Sequence, residues 1–597
     1  MKLAPFAGGL ALLAATTANA ADLSPGRWPA EERARLEALE AQTWSPLQTS
    51  VVSGGGGIVS ATVSPVATYA GLQALKQGGT AADAAATVAL TQVTTQLGSV
   101  VSYAGIFTMV YYDARTRKVY SMDAGYNSYL GENDPKSIPV GDMGPLNFGR
   151  KPTEGGAKGR ETLTPGFMAG LEAMHRRFGR LAFRELFAPA IWYDEHGVRI
   201  SPHLLGFFTI RGKFLARTPE GRAFLAQAGG DSPKVGALFV QPQLAATLKA
   251  IAEHGSAYMY TGKWGQDFVA TVQREGGKVT AEDLARYQPI WSEPLKTTVF
   301  GHTVYVNGSP HYGAYNLIPA LNLAEALKLD QKGPYWSDPE TFQDLARINE
   351  VVTGAPELSG GVGSFLKSRG IDVSPESQLT KRYAGEVAPL LDALFAGGVD
   401  NSPRHSNAIV VVDKDGDIAA ITHTINAVIW GDTGIVVDGV PIPDSAAFQQ
   451  ERLAKLRPGD RVPHEIIDTI AFEGDKPVLA TGSIGSSLVP ESLRVLVGVL
   501  GQHQDLATVM EKPPLLANFN LTGVEQAPAA RPVSIPQGAY DPAFVAGLKA
   551  RGLNITETPT AMAAGLRGTL AAVAIDPKTG KRSAADQPGV MVYNDAD

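Results

Sequence analysis

The sequence predicts a mixed α/β protein, helix-rich in its middle and built from β-hairpins further on, and three observations carry that reading. The segment from Gly57 to Val93 opens like a strand and runs into alanine-rich sequence from Ala81, which reads as a buried helix. Apolar residues recur at three- and four-residue intervals from Pro165 to Phe178, Gln241 to Glu253 and Tyr315 to Leu327, the spacing of one helix face. Two β-rich runs, Ala408 to Val412 and Ile418 to Asn426, flank Asp415-Gly416, a strong short-range hairpin signal.

Composition narrows the chemistry. Of 597 residues, 44% are hydrophobic and 19% charged, enough to bury a large core, so disorder is not the default. A net charge of -7 leaves no basic excess for a phosphate backbone or an anionic membrane, which argues against nucleic acid and membrane partners. The chain has no cysteine, so disulfides, thiolate nucleophiles and Cys-ligated metals are excluded. The ten histidines show no HExxH spacing, and the reading calls for no metal and no cofactor. No repeat of the solenoid or propeller kind is apparent.

Met1-Lys2-Leu3, the apolar run from Phe6 to Ala15 and the small-residue signature Ala18-Asn19-Ala20 read as a secretory signal peptide cleaved after Ala20. The expectation is a periplasmic or secreted protein. The run is shorter than the roughly 20 residues needed to span a bilayer.

If Asp415-Gly416 is a two-residue turn, Ser406 lies opposite Ile425 and Asn407 opposite Thr424, and a bulge or longer loop would shift that register. The stretch before it, AGGVDNSPRHS from Ala396 to Ser406, reads as an exposed linker. Further on, a β-rich run from Thr469 to Gly482 leads to a Gly/Ser turn, Gly482 to Ser487, and a helix expected from Glu491 to Leu500. Backbone N–H groups at such a turn can hold an oxyanion or a carboxylate, and an ordinary helix cap has the same composition.

With these segments in hand, the chain resembles the γ-glutamyltransferase family over nearly its whole length. The resemblance rests on Gly78 to Ala84, TPGFMAGLEAMHRRFG from Thr164, ELFAPAIWYDEHG from Glu185, GGKVTAEDLARY from Gly276, VVDKDGDIAAITHTIN from Val411 and ATGSIGSS from Ala480. It implies an α/β, four-layer αββα N-terminal-nucleophile hydrolase fold, made as one chain that cuts itself. It further implies a signal peptide at 1–20, a large subunit at 21–405 and a small catalytic subunit at 406–597, joined as a heterodimer. Cleavage would fall between His405 and Ser406, with Ser406 standing at the nucleophile position. The chemistry agrees: a serine hydroxyl needs a neighbouring base, and an α-amine with a pKa of about 7.7 to 8.0 is one, so a single cleavage supplies both. By the same resemblance Thr424 orients the hydroxyl, Gly485 and Ser486 offer oxyanion N–H groups, and Asn426 contacts substrate.

The departures concern specificity. The family nucleophile is a threonine followed by threonine and histidine, where this chain has Ser406, Asn407 and Ala408. The family arginine that clamps the donor's α-carboxylate falls at Gly125. Of the acids that hold the donor's amino group, Asp444 alone could serve, and the paired serines align with His464 and Glu465. A small-molecule amide or peptide with an acyl part other than γ-glutamyl is therefore expected, with Tyr103, Tyr126, His311, Tyr312 and Trp430 as candidates to line an aromatic or apolar pocket. Two other readings stay open: a true γ-glutamyltransferase whose clamp is another arginine, such as Arg150 or Arg160, and a secreted binding protein that has lost catalysis.

Overall fold

The computed structural model describes residues 21–42, 50–142, 151–229, 233–352, 362–394, 406–516, 532–559, 563, 567–588 and 591–597. The signal segment, Arg150, His405 and the linker before Ser406 lie outside them.

Two seven-stranded antiparallel sheets form the centre. In chain order their strands are β1 (Val51–Gly54), β2 (Ile58–Thr62), β3 (Ile106–Asp113), β4 (Lys118–Ala124), β5 (Ile290–Ser292), β6 (Leu295–Val299) and β7 (His302–Val306). After these come β8 (Ser406–Val412), β9 (Ile418–Thr424), β10 (Ile467–Glu473), β11 (Lys476–Gly485), β12 (Gly568–Ile575), β13 (Arg582–Ala585) and β14 (Val592–Ala596). The first sheet runs β14-β2-β8-β9-β3-β4-β5 and the second β1-β13-β12-β11-β10-β7-β6.

Strand periodicity sorts the side chains into layers. Ala408, Val410, Val412, Ile418 and Ala420 of the first sheet meet Ile470, Phe472, Ala480, Ala571 and Val573 of the second in one cluster. Their neighbours Ile409, Val411, Ala419 and Ile421 face the other way, into the layer of helices α1 (Pro65–Lys76), α2 (Ala81–Thr95) and α3 (Phe167–Phe178). On the far side Val304, Ile467, Ala471, Leu479 and Ala572 pack on α4 (Gly313–Ala326) and α5 (Leu488–Leu496). The order is helix, sheet, sheet, helix, the αββα arrangement. Both faces of the central strands are covered, which is why β8 reads as a continuous apolar run rather than an alternating one. Each fully buried valine or isoleucine there contributes about 1.5 to 3 kcal/mol. No helix among the described residues is long and apolar enough to cross a membrane.

The hairpin forms, with one correction to its register. Ser406 pairs with Thr424 and Asn407 with His423, one residue away from the pairing a two-residue turn would give. The loop is longer: Gly416 N–H donates to the Asp413 carbonyl (3.1 Å), Asp413 N–H to the Asp417 carbonyl (3.1 Å), and Gly416 takes φ +92°. This is the three-residue loop closed by a glycine in the left-handed region. The Asp413 carboxylate fixes it, accepting from Asp415 N–H (2.9 Å) and Asp417 N–H (3.0 Å) on one oxygen. Its other oxygen accepts Ala81 N–H (2.8 Å) at the start of α2.

A second correction concerns the Gly/Ser segment. Gly482 to Gly485 continue strand β11, paired with Ala571 to Gly568, so only 486–487 turn before α5 starts at Leu488. β12 pairs with the whole segment, and β10 pairs from the other side with Gly482 and Ser483.

Gly416→Ala should therefore lower stability by about 1 to 2 kcal/mol, the cost of a left-handed non-glycine residue. The added Cβ would meet Ala114 Cβ at 3.5 Å, ordinary contact, so the strain is in the backbone alone. A urea melt should show a lower midpoint at unchanged slope.

Candidate active site

One end of the first sheet gathers most of the residues singled out in the sequence. Ser406 opens β8 half-buried, and Thr424, its partner in the ladder, closes β9 and is buried. Both lie on the face turned toward the second sheet, in step with Ala408 and Ala420. The Thr424 hydroxyl accepts Asn426 N–H (2.9 Å), and Asn426 sits at φ +48°, a left-handed conformation that asparagine tolerates. The intervening Ile425 carbonyl accepts from Tyr126 Oη (3.0 Å) and Ser445 Oγ (2.5 Å). Those two bonds bring the neighbours of Gly125 and Asp444 to the same place. On the second sheet the pairing of Ile467 with Ser483 carries Gly485 toward the level of Glu465, at this same end, with φ +86° at Gly485.

Asn407 and Ala408 take opposite faces. Asn407 is fully buried on the helix side, and neither its Oδ1 nor its Nδ2 has a partner among the described residues. Across the ladder from it, His423 bonds through Nε2 to Gln92 Oε1 (2.7 Å), and burial lowers its pKa to about 3, so the ring is neutral. Ala408 faces Gly482, where an added Cβ would stand 3.2 Å from the alanine methyl.

Gly125 is enclosed. A Cβ built there would stand 2.9 Å from Asp123 Oδ1 and 3.1 Å from the His464 ring. Asp123 accepts Gly125 N–H (2.7 Å) and His464 Nε2–H (3.1 Å) on Oδ1, and Arg461 Nη1 (2.7 Å) on Oδ2. Burial alone would raise the Asp123 carboxyl, but His311, His464 and Arg461 hold it well below the usual carboxylate range. His311 Nδ1 lies 3.4 Å from His464 Nδ1, and burial beside His464 lowers the His311 pKa to about 3.

Asp123, His311 and His464 are close enough to be considered as metal ligands. Their contacts favour another arrangement. Binding through both Nε2 atoms would put a proton on each Nδ1, and those two nitrogens face one another. With His464 Nε2–H donated to Asp123, His464 Nδ1 instead accepts from His311 Nδ1–H, which accounts for both contacts. The second such group, Glu161, Asp432 and Asp444, already holds a cation: Lys158 Nζ is 2.7 Å from Glu161 and 3.0 Å from Asp432. Burial and the neighbouring acids raise Glu161 and Asp444, so Asp432 carries the charge that faces the lysine. Asp444 Oδ2 accepts Asp432 N–H (2.9 Å).

Other candidates fall elsewhere. Tyr103 bonds to Thr94 Oγ1 and the Leu90 carbonyl, and Trp430 to the Leu97 carbonyl, both within the helix-side core. They are core side chains rather than pocket lining. Tyr312 Oη donates to Glu465 (2.5 Å) and accepts from Arg452 (2.7 Å). Arg160 grips Glu132 through two bonds of 2.9 and 2.8 Å.

One buried carboxyl escaped the sequence reading. Asp468, in β10 and in phase with Ile470 and Phe472, points between the sheets. Burial pushes it up to about 7 against hydrogen bonds from Thr422, Asn307 and Thr108. An acidic residue at an inward position of a β-rich run was the available signal.

Comparisons with known proteins give the family and the fold. The family model described as Gamma-glutamyltranspeptidase matches residues 67–589. The chain is 28% identical over 464 residues to a glutathione hydrolase proenzyme of Pseudomonas aeruginosa, spanning 73% of this chain and 78% of that one. It is 25% identical over 431 residues to the acylase ACY 1 proenzyme of Pseudomonas sp. (strain SE83), spanning 70% and 72%. Among solved structures, a cephalosporin acylase from Bacillus halodurans superposes with a TM-score of 0.75 at 20% identity, over 93% of this chain and 98% of that one. This chain belongs to the gamma-glutamyltranspeptidase family of enzymes and has the αββα N-terminal-nucleophile hydrolase fold.

Proposed function

We propose that the chain is an exported amide hydrolase that cuts itself between His405 and Ser406 and then works through an acyl-enzyme on Ser406. The observation that carries the reading is the pairing of Ser406 with Thr424 at the site end of the first sheet, with the Thr424 hydroxyl tied to Asn426 N–H. In the precursor, Ser406 Oγ attacks the His405 carbonyl, the peptide becomes an ester, and water hydrolyses it. The freed α-amine then takes the Ser406 proton as the hydroxyl attacks a substrate amide. Backbone N–H groups at Gly485 and Ser486 receive the oxyanion, a contribution typically worth about 3 to 4 kcal/mol per donor. The leaving amine departs with the proton, and water attacks the ester to release the acid. Export to the periplasm or beyond rests on the signal-like segment at 1–20.

The enclosure of Gly125 supports a substrate without a free α-carboxylate at the acyl end. Asp123 and His464 fill the space that a side chain at 125 would need, and Arg160 is committed to Glu132. Residue 125 offers no guanidinium, and of the two alternative clamps only Arg160 is described, so among the described residues neither would meet a charged donor with a bidentate pair.

Purified wild type should contain two fragments, one starting near Ala21 and one at Ser406, by mass spectrometry. Ser406→Ala should remain one inactive chain, and Ser406→Thr should keep some processing because it keeps a hydroxyl. Full activity of Ser406→Ala would end the mechanism. Thr424→Ala should fold but mature and turn over more slowly, by about 1 to 3 kcal/mol for one lost bond beside the nucleophile. In a panel of p-nitroanilides with matched leaving groups, the γ-glutamyl compound should have a lower kcat/KM than at least one neutral acyl compound. A γ-glutamyl lead of tenfold or more, about 1.4 kcal/mol, would replace this reading with an ordinary γ-glutamyltransferase.

A further inference from the structure

Asp468 joins the two sheets directly behind the site. It is fully buried. Its Oδ1 accepts from Thr422 Oγ1 (2.7 Å) on β9, and its Oδ2 from Thr108 Oγ1 (2.8 Å) on β3. Both belong to the first sheet. From the second sheet, Asn307, just past β7, donates Nδ2–H to Asp468 Oδ2 (3.0 Å) and accepts Asp468 N–H on its Oδ1 (2.6 Å). The ladder partner of Asp468 on β11 is Gly482. A Cβ there would come within 3.4 Å of Asp468 Oδ1 and 3.2 Å of Ala408 Cβ, so the glycine lets the carboxyl and the nucleophile strand approach together.

The sequence distances give this node its meaning. Thr422 lies two residues before Thr424 on the same face of β9, and its ladder partner Ala408 lies two residues after Ser406. Gly482 lies three residues before Gly485 on β11. A carboxyl taken out of water with no cation beside it is costly unless its lone pairs are met. Three hydrogen bonds to the carboxyl meet that need here, and the two from Thr422 and Thr108 cross between the sheets and would have to break for the sheets to slide.

We propose that Asp468 is a positioning residue for this reaction, holding the Ser406–Thr424 pair of the first sheet at a set distance and register from the Gly485 N–H of the second. It touches neither substrate nor nucleophile. The inference rests on the Ser406 reading and adds to it a residue acting through Thr422, Thr108 and Asn307.

The test uses a charge-preserving swap. Asp468→Asn sets an amide N–H₂ against the Asn307 amide or, flipped, against Thr422 Oγ1, whose own O–H then loses its acceptor, and breaks the pattern. Asp468→Asn combined with Asn307→Asp restores it: the new aspartate accepts the 468 backbone N–H and the asparagine amide, and Thr108 can donate to the Thr422 carbonyl, 3.3 Å away. Self-cleavage would be followed in cell-free synthesis on denaturing gels. Turnover would be read on the p-nitroanilide that wild type cleaves best, per mole of Ser406 N-terminus. Asp468→Asn should slow self-cleavage and kcat at least tenfold with KM within threefold of wild type, and the swap should return both rates to within threefold. A merely structural role would lower the soluble yield and leave kcat per matured molecule unchanged. Asp468→Asn rates within threefold of wild type overturn the proposal, and so does a soluble swap with the wild-type melting temperature that stays tenfold slow. Where Asp468→Asn precipitates, the swap decides alone by the same criterion. A wild-type chain that stays whole and turns over nothing strikes the Ser406 reading instead.

Discussion

Everything at the site depends on the register of the β8–β9 ladder. A strand has a side-chain period of two, so sliding β8 by one residue would carry Ser406 from the face shared with the second sheet to the helix side. It would also push Ile409 and Val411 out of the helix-side core into the layer between the sheets, where Gly482 leaves room for little more than a methyl group at the place of Ala408. The loop sets the count. Its carboxylate, Asp413, bonds to the loop's own N–H groups and to the first turn of α2, so the far end of the hairpin is anchored to a helix more than three hundred residues earlier in the chain.

Buried charge is the second organising theme, and it shapes the surroundings of Gly125. Ion pairs in a protein interior cost desolvation that only close geometry offsets. The cluster around Asp123 meets that cost with Arg461, His464 and the Gly125 N–H, and the cluster around Asp432 meets it with Lys158. Beneath the second sheet Arg494 and Glu491, both fully buried, pair at 2.6 Å one turn into α5, with Gln587 Nε2 on the same carboxylate oxygen. The first of these clusters also takes up the volume beside Gly125. A glycine at that position therefore belongs to a packed arrangement of four side chains, and replacing it alone would strain that arrangement before it created a new contact.

The fold class, the hairpin and the helices at Ala81, Phe167 and Gly313 were legible because each rests on a local period or a two-residue turn signal. The register was not, since the choice between a two- and a three-residue loop turns on where the Asp413 carboxylate finds its donors. The strand at Gly482 to Gly485 read as a turn for a related reason: glycine and serine favour turns in isolation, and only pairing with neighbouring strands, on both sides at Gly482 and Ser483, keeps them in the sheet. Pocket residues were harder still. Tyr103 and Trp430 are aromatic like any pocket wall, yet their hydroxyl and indole N–H find carbonyls inside the helix layer. The contact between Asp123 and His464 spans 341 positions, beyond the reach of any periodicity, although His464 itself and Gly125, two residues from Asp123, stand out in the sequence.

The topology also bears on what a cut before Ser406 would do. The first sheet interleaves strands from both sides of that bond: β8 lies between β2 and β9, β9 pairs with β3, and β14 pairs with β2. The second sheet does the same, with β10 on β7 and β13 on β1. Separating the two pieces would break backbone ladders along five strand pairs and expose the faces of both sheets to water. A cleaved chain of this fold therefore has every reason to stay together, and its one new degree of freedom is at the start of β8. That start is already half-exposed at Ser406, while the next residues along the strand are fully buried. Under the proposed function, cleavage there would free the Ser406 hydroxyl and its new amine without loosening the ladder that carries them.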